Sequence, residues 1–296
     1  EPFSFGEWFK KSALMFFLQA THANMRRFLY VIYLLKMQSL SIELWRFFVA
    51  NLRASYFGAF LLSLFLLTEI FTVPFISRYD FIFLSAVIYQ LCALLFRLES
   101  LREFFVIFLF HILATLMELF KTHPAIGSWN YPTVTSAIFV LGTVPLFSGF
   151  LYSAIGSYIS RAFVFLKLSY VRFPAYYHLW ILASLIYLNF FTHHFFYDIR
   201  YILFAYVFII FFKTKVHFTV YQKERSMPFL VTVFLSSCFV LVAENISTFA
   251  KIWLYPSQVE YWHLVSFNKM GSWFLLLILS FALVSIIYRE RLRNSN

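Results

Sequence analysis

The chain has 296 residues, of which 62% are apolar, 23% aromatic and only 12% charged, and its mean hydropathy is +0.78. A soluble domain carries about 25% charged residues, so this chain cannot clothe itself in polar surface, and its 43 Phe exclude a disordered or collagen-like polymer. The net charge of +11 does not read as a nucleic-acid surface, because Lys and Arg stand at the ends of apolar runs, where they reach toward lipid headgroups.

Residues 1–54 come first and are predicted to be a basic juxtamembrane or interfacial segment. Their apolar runs, such as 28–35, are too short to cross about 30 Å of hydrocarbon. Lys10-Lys11 followed by ALMFFLQA is likewise short of a signal-peptide core. Eight apolar windows follow, at 56–74, 80–96, 104–119, 136–157, 175–193, 199–213, 229–247 and 270–288. They define a membrane domain over 55–288, and 289–296 is a short tail. Cys92 and Cys238 both fall inside windows and are expected as small buried hydrophobes rather than a disulfide.

Charge tests this count. Alternate connections, starting with the N-terminal stretch, hold 19 Lys and Arg, and the other connections hold five: Arg78, Lys121, Arg200, Lys251 and Lys269. The excess alternates at every loop, so the sequence predicts an all-α polytopic bundle of eight spans with both termini cytoplasmic.

The chain also repeats itself. Glu118 is followed by Lys121 and Trp129-Asn130-Tyr131-Pro132, and Glu244 is followed by Lys251 and Trp253-Leu254-Tyr255-Pro256. Both copies end an odd-numbered window, which predicts parallel four-helix repeats over about 55–158 and 175–288. An interfacial aromatic belt closed by a Pro turn is the alternative.

Helix depth carries the site prediction. At 1.5 Å per residue, Glu69, Glu118 and Glu244 reach one level near the outer surface, and Asn189, His193, His194 and Asp198 arrive there from the fifth span. His111 and Glu118 are seven apart and share a helix face. Ionisable groups are costly in lipid and belong against protein or in a wet cavity, so an outward-facing polar pocket is expected. Its proposed catalytic groups are Glu118, Glu244, His111 and His193. Glu69, Trp129, Tyr131, Ser148, Tyr152, Asn189, Trp253 and Tyr255 are its binding groups. The competing structural reading bonds each carboxylate to an indole, Trp129 or Trp253, or to Lys121 or Lys251. His193, His194 and Asp198 offer ligands for a metal without matching a specific zinc spacing. Gly149, Ser153, Gly156 and Ser157 form a small-residue stripe suited to close helix packing.

The segments ELFKTHPAIGSWNYP, PLFSGFLYSAIGSY, AENISTFAKIWLYPSQ and KMGSWFLLLILSFALV resemble the bacterial integral membrane family designated domain of unknown function 817, the YoaT-like proteins. The resemblance runs from about Trp45 to Tyr288. It implies a multi-pass protein of the bacterial inner membrane and no particular activity or cofactor. The repeated Glu with its aromatic loop also faintly resembles carotenoid hydratases and small membrane lycopene cyclases, although their paired-carboxylate motif is absent.

Three functions compete. Two carboxylates in an aromatic setting suit acid–base chemistry on a lipophilic, isoprenoid- or carotenoid-like substrate. Parallel repeats suit a small-solute transporter, although polar residues crowd the outer half of the spans. The basic N-terminal segment suits an accessory subunit or oligomer that docks a partner or anionic lipid. No Lys lies mid-span, which argues against a retinal Schiff base, and no P-loop or Rossmann glycine motif is present.

Overall fold

Capping chemistry at the ends of the apolar runs decides where helices start. The computed structural model describes residues 41–220 and 223–293. After α1 (Ser41–Ala54) and α2 (Tyr56–Ile70), Ser77 caps α3 (Arg78–Leu95) by accepting from the Asp80 N–H. Ser100 and Glu103 form a reciprocal capping box at the start of α4 (Leu101–Thr122). The chain continues through α5 (Ser148–Phe165), α6 (Tyr176–Thr192), α7 (Arg200–Phe211), α8 (Phe229–Phe249), α9 (Lys269–Ser285) and α10 (Arg289–Arg293).

Strand pairing is local. β1 (Val140–Leu141) and β2 (Val144–Pro145) make a two-residue hairpin around Gly142, whose φ of +59° suits glycine. β3 (Ser169–Val171), β4 (Lys215–Val220) and β5 (Lys223–Pro228) form an antiparallel sheet in that order, with Tyr170 opposite Val216 and Val216 opposite Met227.

The chain divides into two compact units, residues 1–49 and 50–296. Of the first, the structure describes only the start of α1, where Trp45 and Phe48 stack. The predicted interfacial runs within 1–40, and the last three tail residues, lie outside the described residues. In the second unit one core joins α6, α7 and α9 through Leu182, Leu203, Phe211 and Ile278, with Phe163 of α5 packed against them. Another joins α2 and α3 to the loops after α4 and α8 through Phe65, Tyr79, Tyr131 and Ile252.

α3, α4 and α8 are long and apolar enough to cross a membrane, and α1 with α2 would make a fourth span if counted together. Large apolar side chains such as Ile88, Phe105, Ile209 and Phe239 stand exposed on these and other helices, as lipid contact requires. This is a largely helical membrane protein. A helix lies in each of the eight sequence windows, with one displacement: the window 136–157 holds a 3-10 turn (Val134–Ser136) and the hairpin before α5 begins at Ser148 and runs on to Phe165. Buried Asp80 holds that hairpin, accepting from the N–H groups of Ile138 and Phe139. Cys92 also departs from expectation, for it is exposed; Cys238 is half-buried with its Sγ 3.4 Å from Met270 Sδ, and both thiols are free.

Candidate carboxylate site

Glu118 lies one turn from the end of α4 and is buried, with 3% of its surface exposed. Burying a carboxylate is costly unless its oxygens accept hydrogen bonds, and here three neutral donors supply them. The Trp129 indole and the Tyr131 hydroxyl both donate to Oε2 at 2.8 Å, and the Tyr152 hydroxyl donates to Oε1 at 2.8 Å. Trp129 and Tyr131 come from the loop after α4, and Tyr152 stands in the second turn of α5.

Glu244 on α8, equally buried, repeats the plan. The Tyr255 hydroxyl from the following loop donates to Oε1, and the Trp273 indole from the start of α9 donates to Oε2 at 2.7 Å. In each half, then, an aromatic donor eleven residues downstream and another from the next helix hold the carboxylate. The eleventh residue is the Trp of the Trp-x-Tyr-Pro copy after Glu118 and the Tyr of the copy after Glu244, because the first copy has two more residues between its Glu and its Trp.

The two nests touch. Trp129 meets Tyr255 edge to face with ring centroids 6.2 Å apart, and Tyr152 meets Trp273 at 6.3 Å. The loops also pair through their backbones: Asn130 and Leu254, the x of each copy, exchange both N–H···O bonds at 2.9 Å. Among the described residues neither carboxylate forms an ion pair with Lys or Arg. The indole contact foreseen for Trp129 forms at Glu118, and the two carboxylate clusters adjoin through their aromatic rings. In the second half Trp273 makes the indole contact foreseen for Trp253, which packs at the edge of the α2–α3 core.

Other candidates fall around this centre. His111 shares the Glu118 face of α4 and packs against Gly149, where an added Cβ would lie 2.3 Å from its Nδ1; that nitrogen and the buried Ser148 hydroxyl make no hydrogen bond. Gly156 admits the Phe110 ring of α4 in the same way, so the small-residue stripe of α5 is a packing surface. Glu69 stands apart, bridging Arg78 at 2.8 Å and Lys251 at 3.0 Å. Asn189 braces the loop after α6, donating to Asp198 Oδ1 at 3.1 Å and accepting from the Ile199 N–H at 3.2 Å.

His193 and His194 turn their Nε2 atoms to Lys121 Nζ, at 3.3 and 2.6 Å. Burial and the neighbouring Lys121 ammonium push the His194 imidazole down to about 4. Asp198 pairs instead with Arg200 at 3.2 Å. The structure does not gather His193, His194 and Asp198 into one ligand set, and among the described residues no three His, Cys, Asp or Glu side chains form a group able to hold a metal.

A second buried polar cluster lies at the opposite end of α4, about 25 Å from Glu118 by helix rise. Glu99 accepts from Gln90 Nε2, from Ser157 Oγ at 2.9 Å and from Arg161 at 3.2 Å. Glu103 accepts from Ser160 Oγ at 2.5 Å. This cluster lies away from the half of the spans where the sequence predicts polar groups. Its members stand at span ends, where charge normally reads as interfacial, and only the four-residue spacing of Ser157 and Arg161 hinted at a shared face.

The protein-family comparison matches residues 43–281 to the family described as "Protein of unknown function (DUF817)". The protein printed as "Uncharacterized protein YoaT" of Bacillus subtilis (strain 168) is 41% identical over 230 residues, covering 77% of this chain and 85% of the relative. No solved structure matches the chain. With the family match spanning most of the chain and agreeing with the segments that carry the resemblance, this protein belongs to the DUF817 family of membrane proteins.

Proposed function

We propose that this chain is an eight-pass enzyme of the bacterial inner membrane that moves protons on a lipophilic substrate. One observation carries the reading: two buried carboxylates from corresponding helices, each hydrogen-bonded to a phenol, meet through an aromatic contact. A Tyr hydroxyl on a carboxylate is a ready proton path. Indole and phenol faces stabilise positive charge developing on a polyene. In this scheme Glu118 and Glu244 act as acid and base, Tyr152 and Tyr255 relay protons, and Trp129 and Trp273 hold the carboxylates in place. His111, with an unbonded Nδ1, is the assisting base.

The test compares lipid extracts from cells expressing the wild type, Glu118→Gln and Glu244→Gln. The expected result is a lipid species whose mass or isomer composition changes with the wild type and reverts in both variants, while all three proteins purify folded. Identical extracts from wild type and empty vector would remove the enzyme reading.

Transport is the second reading, and the buried Glu99–Arg161 cluster favours it by supplying polar groups at the other end of the bundle. Solute-dependent labelling of cysteines placed at Ser157 and Ser160 would favour this reading over the first.

A further inference from the structure

One turn beyond Glu118, Lys121 is 4% exposed, yet the nearby carboxylate does not answer its charge. Glu118 accepts from Trp129, Tyr131 and Tyr152, and among the described residues no Asp or Glu oxygen lies within 4.0 Å of Lys121 Nζ. The ammonium is held by neutral groups instead. His193 Nδ1 lies 2.7 Å from the Asn189 carbonyl, so that nitrogen carries the proton and donates, leaving a bare Nε2 to face Lys121. His194 Nε2 approaches at 2.6 Å, and the Phe190 ring lies 4.4 Å below the cation.

More positive charge stands close by. Lys269 sits 4.1 Å above the Tyr255 ring, and Lys269 and Arg200 act electrostatically on Lys121, with Asp198 opposing them. The acids of this neighbourhood are already engaged: Asp198 by Arg200 and Asn189, Glu244 by Tyr255 and Trp273. A buried ammonium whose partners are imidazoles gains on meeting an oxyanion, because a hydrogen bond between charged groups is roughly twice as strong as a neutral one.

We propose that Lys121, with His193, His194 and Lys269, binds an oxyanion, a phosphate or carboxylate group, at the carboxylate end of the bundle. Resting on the acid–base reading, this gives the substrate an acidic head: an amphiphile held at Lys121 with its apolar body against the aromatic lining. A free anion is the other source of the same chemistry.

The experiment uses the full chain in phosphatidylcholine nanodiscs and follows thermal unfolding by tryptophan fluorescence. Dodecyl phosphate, dodecanol and inorganic phosphate are the three probes. Near saturation dodecyl phosphate raises the wild-type midpoint by about 5 °C, and dodecanol does not. Inorganic phosphate alone distinguishes the sources: a weaker shift identifies a lipid head, and an equal shift identifies a free anion. Lys121→Met weakens dodecyl phosphate binding at least about tenfold and Lys121→Arg retains it. Equal shifts with dodecyl phosphate and dodecanol in the wild type overturn the proposal even where Lys121→Met fails to fold, and so does unchanged binding by a folded Lys121→Met. The two readings fail separately. Binding with unchanged lipid extracts leaves the anion site and removes the enzyme; altered extracts without binding do the reverse.

Discussion

A single buried side chain decides how much of this sequence is legible at residue scale. Glu118 and Glu244 stand out because an ionisable group inside a span is expensive and demands an explanation; their donors Trp129, Tyr131 and Tyr255 follow from the loops that repeat. Asp80 does not stand out. It opens a span, where an acid reads as a helix-terminus charge, and nothing in the sequence links it to a segment 58 residues away. In the structure it is 1% exposed and accepts from the Ile138 and Phe139 N–H groups at 2.9 and 2.8 Å and from Ser77 Oγ at 2.7 Å. Removing the carboxylate strands two backbone donors in an apolar setting, each costing about 1–3 kcal/mol. Asp80→Ala therefore lowers unfolding stability by about 3 kcal/mol, and Asp80→Asn, which keeps one acceptor, by less. Thermal unfolding in a mild detergent measures both, and an unchanged midpoint in Asp80→Ala would show that the hairpin is held by other means.

At the scale of elements, helix positions were legible from hydropathy and helix ends were not. Three of the helices stop at a left-handed residue that is not glycine: Arg97 after α3, Lys167 after α5 and Lys251 after α8, with φ of 54°, 49° and 49°. A cation suits the negative end of a helix, but without Gly the stop signal is silent in the sequence. The pairing of α4 with α5 was legible in part. The stripe at Gly149, Ser153, Gly156 and Ser157 pointed to close approach, and the structure shows which rings use it. Gly149→Ala puts a methyl into the His111 ring and costs about 1–3 kcal/mol as overpacking. His111→Ala in the same chain removes the obstacle, so the double variant is expected to recover most of that loss. Equal instability of the single and double variants would mean that the helices do not rely on this contact.

The number of membrane passes belongs to the whole molecule, and contacts between distant segments bear on it through parity, because residues that touch at a bundle end share a side. Take α4 and α8, the two longest apolar helices, as spans. β3 pairs with β4, so α6 and α7 cross together or not at all. Lys121 touches His193 and His194, so α5 and α6 also share one fate. Asn130 pairs with Leu254, so an even number of helices among α5 to α8 crosses. With α8 crossing, an odd number of the other three must cross, and since all three share one fate, all three do. Asp80 on Phe139 adds α3 to α4, and Ser160 on Tyr288 adds α9. These parities support the proposed eight-pass arrangement, which loop charge in the sequence also predicts. The demanding member is α7, whose 12 residues span about 18 Å against about 30 Å of hydrocarbon. In the proposed eight-pass arrangement it crosses only with help from its flanks and local thinning of the bilayer. Phe196 and Ser226, both exposed, stand beyond its two ends. With Cys92 and Cys238 replaced by serine, Phe196→Cys is expected to react with an impermeant maleimide in intact cells, and Ser226→Cys only after permeabilisation. Reaction of both from one side would mean that α7 turns back within the membrane, and the parity of the whole bundle would fail with it.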